Sequence, residues 1–355
     1  MEKYSPYSGM KVFYHTDTMA ELIKGNRTAP VYVRIKPTNV CNQNCCYCAY
    51  ANNKVFEDRK VNKRESIPWE RLKQVLVDFS EMNVKAVTFS GGGEPLTYHS
   101  ISQALELTNR LGIDYSMITN GQALEGDVIN YLKHAKWVRV SFDSADKNTY
   151  ESIRGIKTYD RVAFNIENFA RKKEPTCILG INCVVSKQNA QEIYQICELV
   201  KKLGAENIKL SPVIVKENKS AYHDLIKETV CEQIIQAKNQ LEDSDFHIID
   251  KYTDEIAVDD NFQKSYHRCY IQEIFTVIAA DSKVYRCHQR AYTLPGEIGD
   301  LSLKSFKEIW YSPETIKSSR DWDACEQCSF RCAFEERNIL LNDFMSMDKN
   351  HINFI

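Results

Sequence analysis

The chain has 355 residues, a formal charge of −2 and 43% hydrophobic residues, enough for a main domain and a smaller one, each with its own core. The near-neutral balance shows no footprint for nucleic acid or an anionic membrane, and no stretch approaches the roughly 18 uninterrupted apolar residues of a membrane span. Residues 1–11 are polar and aromatic with no apolar signal core, so the cytoplasm is the expected compartment, where thirteen cysteines argue for metal or redox chemistry rather than disulfides.

Apolar, β-branched runs predict strands at 32–36, 86–90, 115–119, 138–142, 178–185 and 208–212. Helices are expected between them. The first opens near Ser66 and Pro68 and puts Leu72, Val75, Leu76 and Phe79 on one face; others follow at 101–111, 127–134, 159–172 and 190–203. Such alternation means parallel strands joined by right-handed crossovers. Six units predict an α/β fold, a partial (β/α)6 barrel of parallel strands open on one side, with its chemistry at the C-terminal strand ends. Charged composition from Glu217 to Asp243 reads as a bridging helix, and 246–249 as one more strand. Farther on, 275–280 and 283–286 flank Asp281-Ser282, a hairpin turn without glycine. An amphipathic helix at 302–311 uses Leu303, Phe306, Ile309 and Trp310, and another helix covers 333–345. The expected units are an N-terminal extension (1–29), a core (30–215), a bridging helix and linker (216–264) and a small C-terminal α+β domain (265–355).

The cysteines form two groups, Cys41, Cys45, Cys46 and Cys48, then Cys269, Cys287, Cys325, Cys328 and Cys332. Cys177, Cys183, Cys197 and Cys231 read as small buried hydrophobes. Cys41, Cys45 and Cys48, at i, i+4 and i+7 beyond the first strand, can turn their thiolates toward one point. Three thiolates are one short of a closed zinc site or a fully ligated cluster. A 4Fe–4S cluster held there keeps one iron free; a zinc knuckle with a distant fourth ligand is the alternative. Gly91-Gly92-Gly93-Glu94-Pro95 ends the second strand, offering close backbone approach and a carboxylate acceptor. Thr119-Asn120-Gly121 ends the third, as a turn or as a hydroxyl-binding group. Val140-Ser141-Phe142-Asp143 ends the fourth. Arg154 follows, its fork suited to a carboxylate or to Glu151 one helical turn back.

The three-cysteine loop, the Gly-Gly-Glu turn and the Ser141–Arg154 pairing resemble the radical S-adenosylmethionine (SAM) superfamily over about residues 30–215. That resemblance implies a free iron chelated by the amino and carboxylate groups of SAM. It implies Gly92, Gly93 and Glu94 at the amino group, Ser141 and Arg154 at the carboxylate, and Asn120 at the ribose. Tyr47 is expected near the adenine or in core packing, and Asn182 and Ser211 as further adenosine contacts. It implies reductive cleavage of SAM to a 5′-deoxyadenosyl radical that takes hydrogen from an unactivated carbon, with flavodoxin or ferredoxin as electron donor.

The second cysteine group resembles the twitch domain, a shortened SPASM extension, which implies an auxiliary 4Fe–4S cluster on Cys269, Cys287, Cys328 and Cys332, with Cys325 as the alternate. Ser282 departs from that family's glycine, and a four-cysteine zinc site is the alternative. One auxiliary site, and about thirty residues before the first strand (too few for a leader-binding core), lead us to expect a polar small-molecule substrate. A sugar, sugar nucleotide or aminocyclitol, oxidised or epimerised, is the expectation. A peptide maturase is the alternative, and a zinc-binding interaction module without SAM chemistry is the alternative of another class. Tyr285, His288 and Arg290 are candidates to meet substrate hydroxyls or phosphate, and Cys183 is either a hydrogen donor or inert packing.

Overall fold

The computed structural model describes residues 6–51, 58–215, 219–258 and 261–354. The expected start of the bridging helix at Glu217, and the outermost residues of the two terminal segments, lie outside the described residues. Ten strands form one sheet: β1 (Tyr32–Ile35), β2 (Ala86–Phe89), β3 (Asp114–Thr119), β4 (Trp137–Ser141), β5 (Ile178–Val185), β6 (Asn207–Pro212), β7 (His247–Asp250), β8 (Phe275–Ile278), β9 (Lys283–Tyr285) and β10 (Glu297–Asp300). Their order is β10-β9-β8-β1-β2-β3-β4-β5-β6-β7. Strands β1 to β7 are parallel neighbours in sequence order, the partial barrel that the alternation predicts. Among the described residues no helix is long and apolar enough to cross a membrane.

Alternation along each strand decides which face meets the helices. Val33 and Ile35, Val87 and Phe89, and Val138 and Val140 are buried in the main core with Leu72, Val75, Leu76 and Phe79 of the helix Trp69–Met82. Each such side chain contributes about 1.5–3 kcal/mol by burial. The intervening residues, Tyr32, Arg34, Thr88, Ser116, Arg139, Asn182, Lys209 and Ser211, occupy the opposite, inward face. That face is polar and cationic, where a closed barrel is filled with branched aliphatics.

The C-terminal region is not a detached domain, because β8 pairs in parallel with β1, in register from Tyr32↔Phe275 to Ile35↔Ile278. Strands β8 and β9 then form the expected hairpin, and β9 pairs antiparallel with β10. Ser282 takes the left-handed conformation (φ 61°) that the turn demands in place of glycine. A second core joins Val12, Met19 and Leu22 of the N-terminal segment to Phe275, Val277 and Leu341.

Two expectations need correction. The helix expected at 302–311 is Phe306–Trp310, because Ser305 and Glu308 form a capping box; Leu303 lies outside it and is 81% exposed. The bridging segment is broken into helices Lys219–Asp224 and Lys227–Leu241 before β7.

Candidate active site

The loop leaving β1 is fastened to the end of the helix Lys147–Arg154 by two backbone bonds, Asn44 N–H to Arg154 C=O (3.0 Å) and Cys46 N–H to Ile153 C=O (2.9 Å). Cys41, Cys45 and Cys48 lie in electrostatic reach of one another, with Cys41 also near Glu94. Cys46 turns away, its thiol 3.3 Å from Gln188 Oε1, which separates the spectator from the i, i+4, i+7 set. Burial pushes the Cys41 thiol up to about 11, and Cys45 up as well, with the Arg154 guanidinium 3.6 Å from its sulfur opposing the shift. Cluster assembly therefore displaces protons from these thiols. Among the described residues no three His, Cys, Asp or Glu side chains close to single-ion spacing.

The glycines after β2 are required by this loop. A Cβ on Gly93 would stand 2.1 Å from the Val40 carbonyl oxygen, and one on Gly92 would stand 2.0 Å from Asn39 Oδ1. Gly93 N–H and Glu94 N–H donate to Thr38 and Val40 carbonyls (both 2.9 Å), so the turn and the cysteine loop form one unit. Asn39 also accepts from Tyr292 (2.5 Å), a bulky residue held at φ 66°.

Glu94 is buried and accepts from Thr119 Oγ1 (2.6 Å), Asn120 N–H (2.7 Å) and Leu96 N–H (3.0 Å). Burial raises its pKa against these donors. One oxygen accepts only from Asn120 N–H and so retains capacity for an ammonium group. The Asn120 side chain is already engaged: its amide donates to Asn42 Oδ1 (2.7 Å) and its carbonyl accepts from Gln122 N–H (3.0 Å).

Arg154 is buried and pairs not with Glu151 but with Asp143, Nη2 to Oδ2 at 2.7 Å. That contact is close yet poorly aligned. Nε remains buried without a hydrogen-bond partner, a donor open to a second carboxylate. Asp143, two residues beyond β4, is the hub of this network. It also accepts from the Tyr47 hydroxyl (2.6 Å) and from Val184 N–H (2.9 Å). An acid closing an apolar strand was the signal available in the sequence. Tyr47 is therefore tied to this network through its hydroxyl.

Ser141 and Ser211 stand inward near the ends of β4 and β6, Asn182 stands inward three residues before the end of β5, and Ser211 Oγ is buried without a hydrogen-bond partner among the described residues. Cys183 points to the helix side, fully buried, with its thiol 3.6 Å from the Asp143 carbonyl.

In the second group, Cys269, Cys287, Cys328 and Cys332 line one cavity with Trp322, Phe330 and Phe334, and their thiols are electrostatically coupled. Burial pushes Cys287 up to about 11 and Cys332 up to about 12. Cys325 is exposed, off this cavity, and donates to the Lys264 carbonyl (3.6 Å). The four-thiol set and its apolar wall fit a cluster of this kind. Tyr285 closes on Asp281 (2.5 Å), so its hydroxyl is taken. His288 accepts from Arg34 (3.2 Å), with burial and neighbouring cations holding its pKa well below the usual range. Arg290 approaches Asp58 (3.5 Å) and the ring of Phe330. Sequence reasoning missed Lys36, fully buried at the end of β1 and donating to Tyr50 (2.9 Å).

A partial parallel barrel with a three-thiol loop at one strand end and four thiols around a second cavity defines a protein built for two iron–sulfur clusters. The Radical SAM superfamily model matches residues 35–200, and that of the iron–sulfur cluster-binding domain SPASM matches 269–333. The chain belongs to the radical SAM superfamily and carries a C-terminal SPASM-type domain, so its cofactors are a SAM-binding 4Fe–4S cluster, SAM and an auxiliary iron–sulfur cluster. It is 25% identical over 316 residues to an AdoMet-dependent heme synthase of Methanosarcina barkeri, covering 82% of this chain and 85% of that one. It is 29% identical over 203 residues to a probable GTP 3′,8-cyclase of Saccharolobus islandicus, covering 55% and 62%. SuiB of Streptococcus suis, solved with its precursor peptide SuiA, superposes with a TM-score of 0.64 at 18% identity, over 88% of this chain and 71% of that one, a shared fold.

Proposed function

We propose that this radical SAM enzyme cleaves SAM reductively and abstracts a hydrogen atom from a polar small molecule of sugar, sugar-nucleotide or aminocyclitol type. The observation that carries the reading is the convergence of three thiols, a buried Glu94 with open acceptor capacity and the unpartnered Nε of Arg154 at the end of the helix Lys147–Arg154. Cys41, Cys45 and Cys48 would hold the cluster, which would supply the electron for reductive SAM cleavage and so the means of hydrogen-atom abstraction. Glu94, with the backbone of Gly92 and Gly93, would receive the SAM amino group. Arg154, held by Asp143, would clamp its carboxylate beside Ser141. Asn120, Tyr47, Asn182 and Ser211 would contact the nucleoside. Cys269, Cys287, Cys328 and Cys332 would hold the auxiliary cluster, with Cys325 outside the set.

Support for a small-molecule substrate comes from the polar inward face and from relatives named for heme and GTP chemistry. Cys183 turned to the helix layer is removed from the part of hydrogen donor, which favours oxidation over epimerisation. The division into an N-terminal extension, core, linker and twitch-type region, and a flavodoxin or ferredoxin as reductant in the cytoplasm, complete the reading.

Anaerobically purified protein should carry about eight irons and eight sulfides per chain and release 5′-deoxyadenosine on reduction. Cys45→Ala should lose about half the iron and all cleavage, while Cys325→Ala should keep its iron. Two zincs and no cleavage would sink the proposal. In deuterated water, deuterium gained at substrate carbon would replace oxidation by epimerisation.

A further inference from the structure

We propose that the inward face of the sheet around Arg34, Arg139 and Lys209 binds a phosphate or carboxylate group, so that the small molecule acted on at the strand ends is an anion. This rests on the reading of a small-molecule substrate above and narrows it. Arg34 on β1, Arg139 on β4 and Lys209 on β6 all occupy inward positions. Each lies two residues before Lys36, Ser141 or Ser211 on its own strand, and the register sets Lys209 beside Asn182 and Ser141, with Arg139 level with Asn207 and Arg34 level with Trp137. The three cations line one stretch of the inward face next to the SAM site.

This stretch has a surplus of donors. Among the described residues, none of Arg34, Lys36, Arg139 and Lys209 has a carboxylate within salt-bridge distance. Arg34 Nε, Arg139 Nε and Ser211 Oγ are buried with no hydrogen-bond partner. Tyr7, reaching in from the N-terminal segment, lies 5.1 Å from the Arg139 guanidinium and 5.8 Å from Lys209 Nζ.

Unpartnered buried donors and uncompensated charges are both costly, and folded proteins keep them where a ligand completes them. A neutral polyol would supply acceptors but leave the charges unbalanced. An oxyanion supplies both, and two guanidinium forks read it with direction. Lys36, fully buried at the end of β1, donates to Tyr50 OH (2.9 Å), and burial with the neighbouring Arg59 and Arg34 holds its pKa well below the usual lysine range, as expected beside a group of cations.

The test is calorimetric titration of the cluster-reconstituted protein, in the presence of SAM, with inorganic pyrophosphate in one arm and tricarballylate in the other. At least one anion should bind, and the arm that binds identifies phosphate or carboxylate recognition. Arg139→Gln and Lys209→Met should each weaken binding about tenfold or more, and Arg139→Lys by less. Exposed Lys147→Gln should leave it unchanged. If one variant is unfolded by circular dichroism, the other carries the comparison. Binding of neither anion, or equal binding by wild type and both variants, overturns the inference. Wild-type SAM cleavage is measured on the same preparation. Cleavage without anion binding removes only this inference, while anion binding without cleavage sustains it and removes the proposed function.

Discussion

Arg154 and Asp143 show how one buried pair serves both stability and the site. Asp143 is wholly buried and receives the Arg154 guanidinium, the Tyr47 hydroxyl and the Val184 amide, so losing its charge leaves a buried cation uncompensated. Removing one partner of such a pair typically costs about 3–5 kcal/mol. Asp143→Asn should therefore lower unfolding stability in urea by about 3 kcal/mol and weaken SAM binding, because Arg154 would lose its orientation. Unaltered stability with unaltered SAM affinity would show that the pair positions nothing. The sequence displayed both residues. That they meet was not readable, because Asp143 and Glu151 are both within plausible reach of Arg154 along the chain, and only the closing of the helix Lys147–Arg154 against β4 selects one.

At the scale of elements, the cysteine loop and the glycine turn are built as one piece. Asn39 and Val40 occupy the space where side chains on Gly92 and Gly93 would stand, so these glycines answer first to the neighbouring loop. The hairpin between β8 and β9 makes the opposite choice. It sets Ser282 in a left-handed conformation that favours glycine, at a cost of about 1 kcal/mol. Ser282→Gly should give a net gain of about 0.5 kcal/mol, because glycine also loosens the unfolded chain, whereas Ser282→Val should lose 1 kcal/mol or more, roughly. Urea midpoints of the two variants moving in the same direction would contradict this account. Strand and helix placement was largely legible, since apolar alternation and helical faces are local patterns. The helix start at Phe306 was misjudged because the capping pair Ser305 and Glu308 outweighed the apolar periodicity through Leu303.

Across the whole molecule, the sheet joins both cysteine regions in one hydrogen-bonded layer through the pairing of β8 with β1. The cations on its inward face act as a shared field. Burial first, then Arg139, Arg34 and Lys251, push Lys209 down to about 8, with Glu255 opposing. A base whose folded pKa falls below its ordinary 10.5 is destabilising while both states are protonated, and the penalty fades as pH rises between about 8 and 10.5. Lys209→Met should accordingly raise the thermal midpoint of the anion-free protein at pH 7, with the gain shrinking toward pH 10.5. An equal gain at both values would remove this lysine from the field. The same charge is the one proposed to hold substrate, so stability and binding are opposed at this position.

The sequence by itself determined the parallel barrel, the three-cysteine motif, the acid after β2 and the arginine after β4, because periodicity and close motif spacing are properties of short segments. Only the tertiary structure decided that Cys325 lies off the second cavity, that Asp143 organises Arg154, and that cations from three strands share one inward face. Those facts depend on which faces of distant segments meet, and burial with long-range pairing fixes that only after the chain has folded.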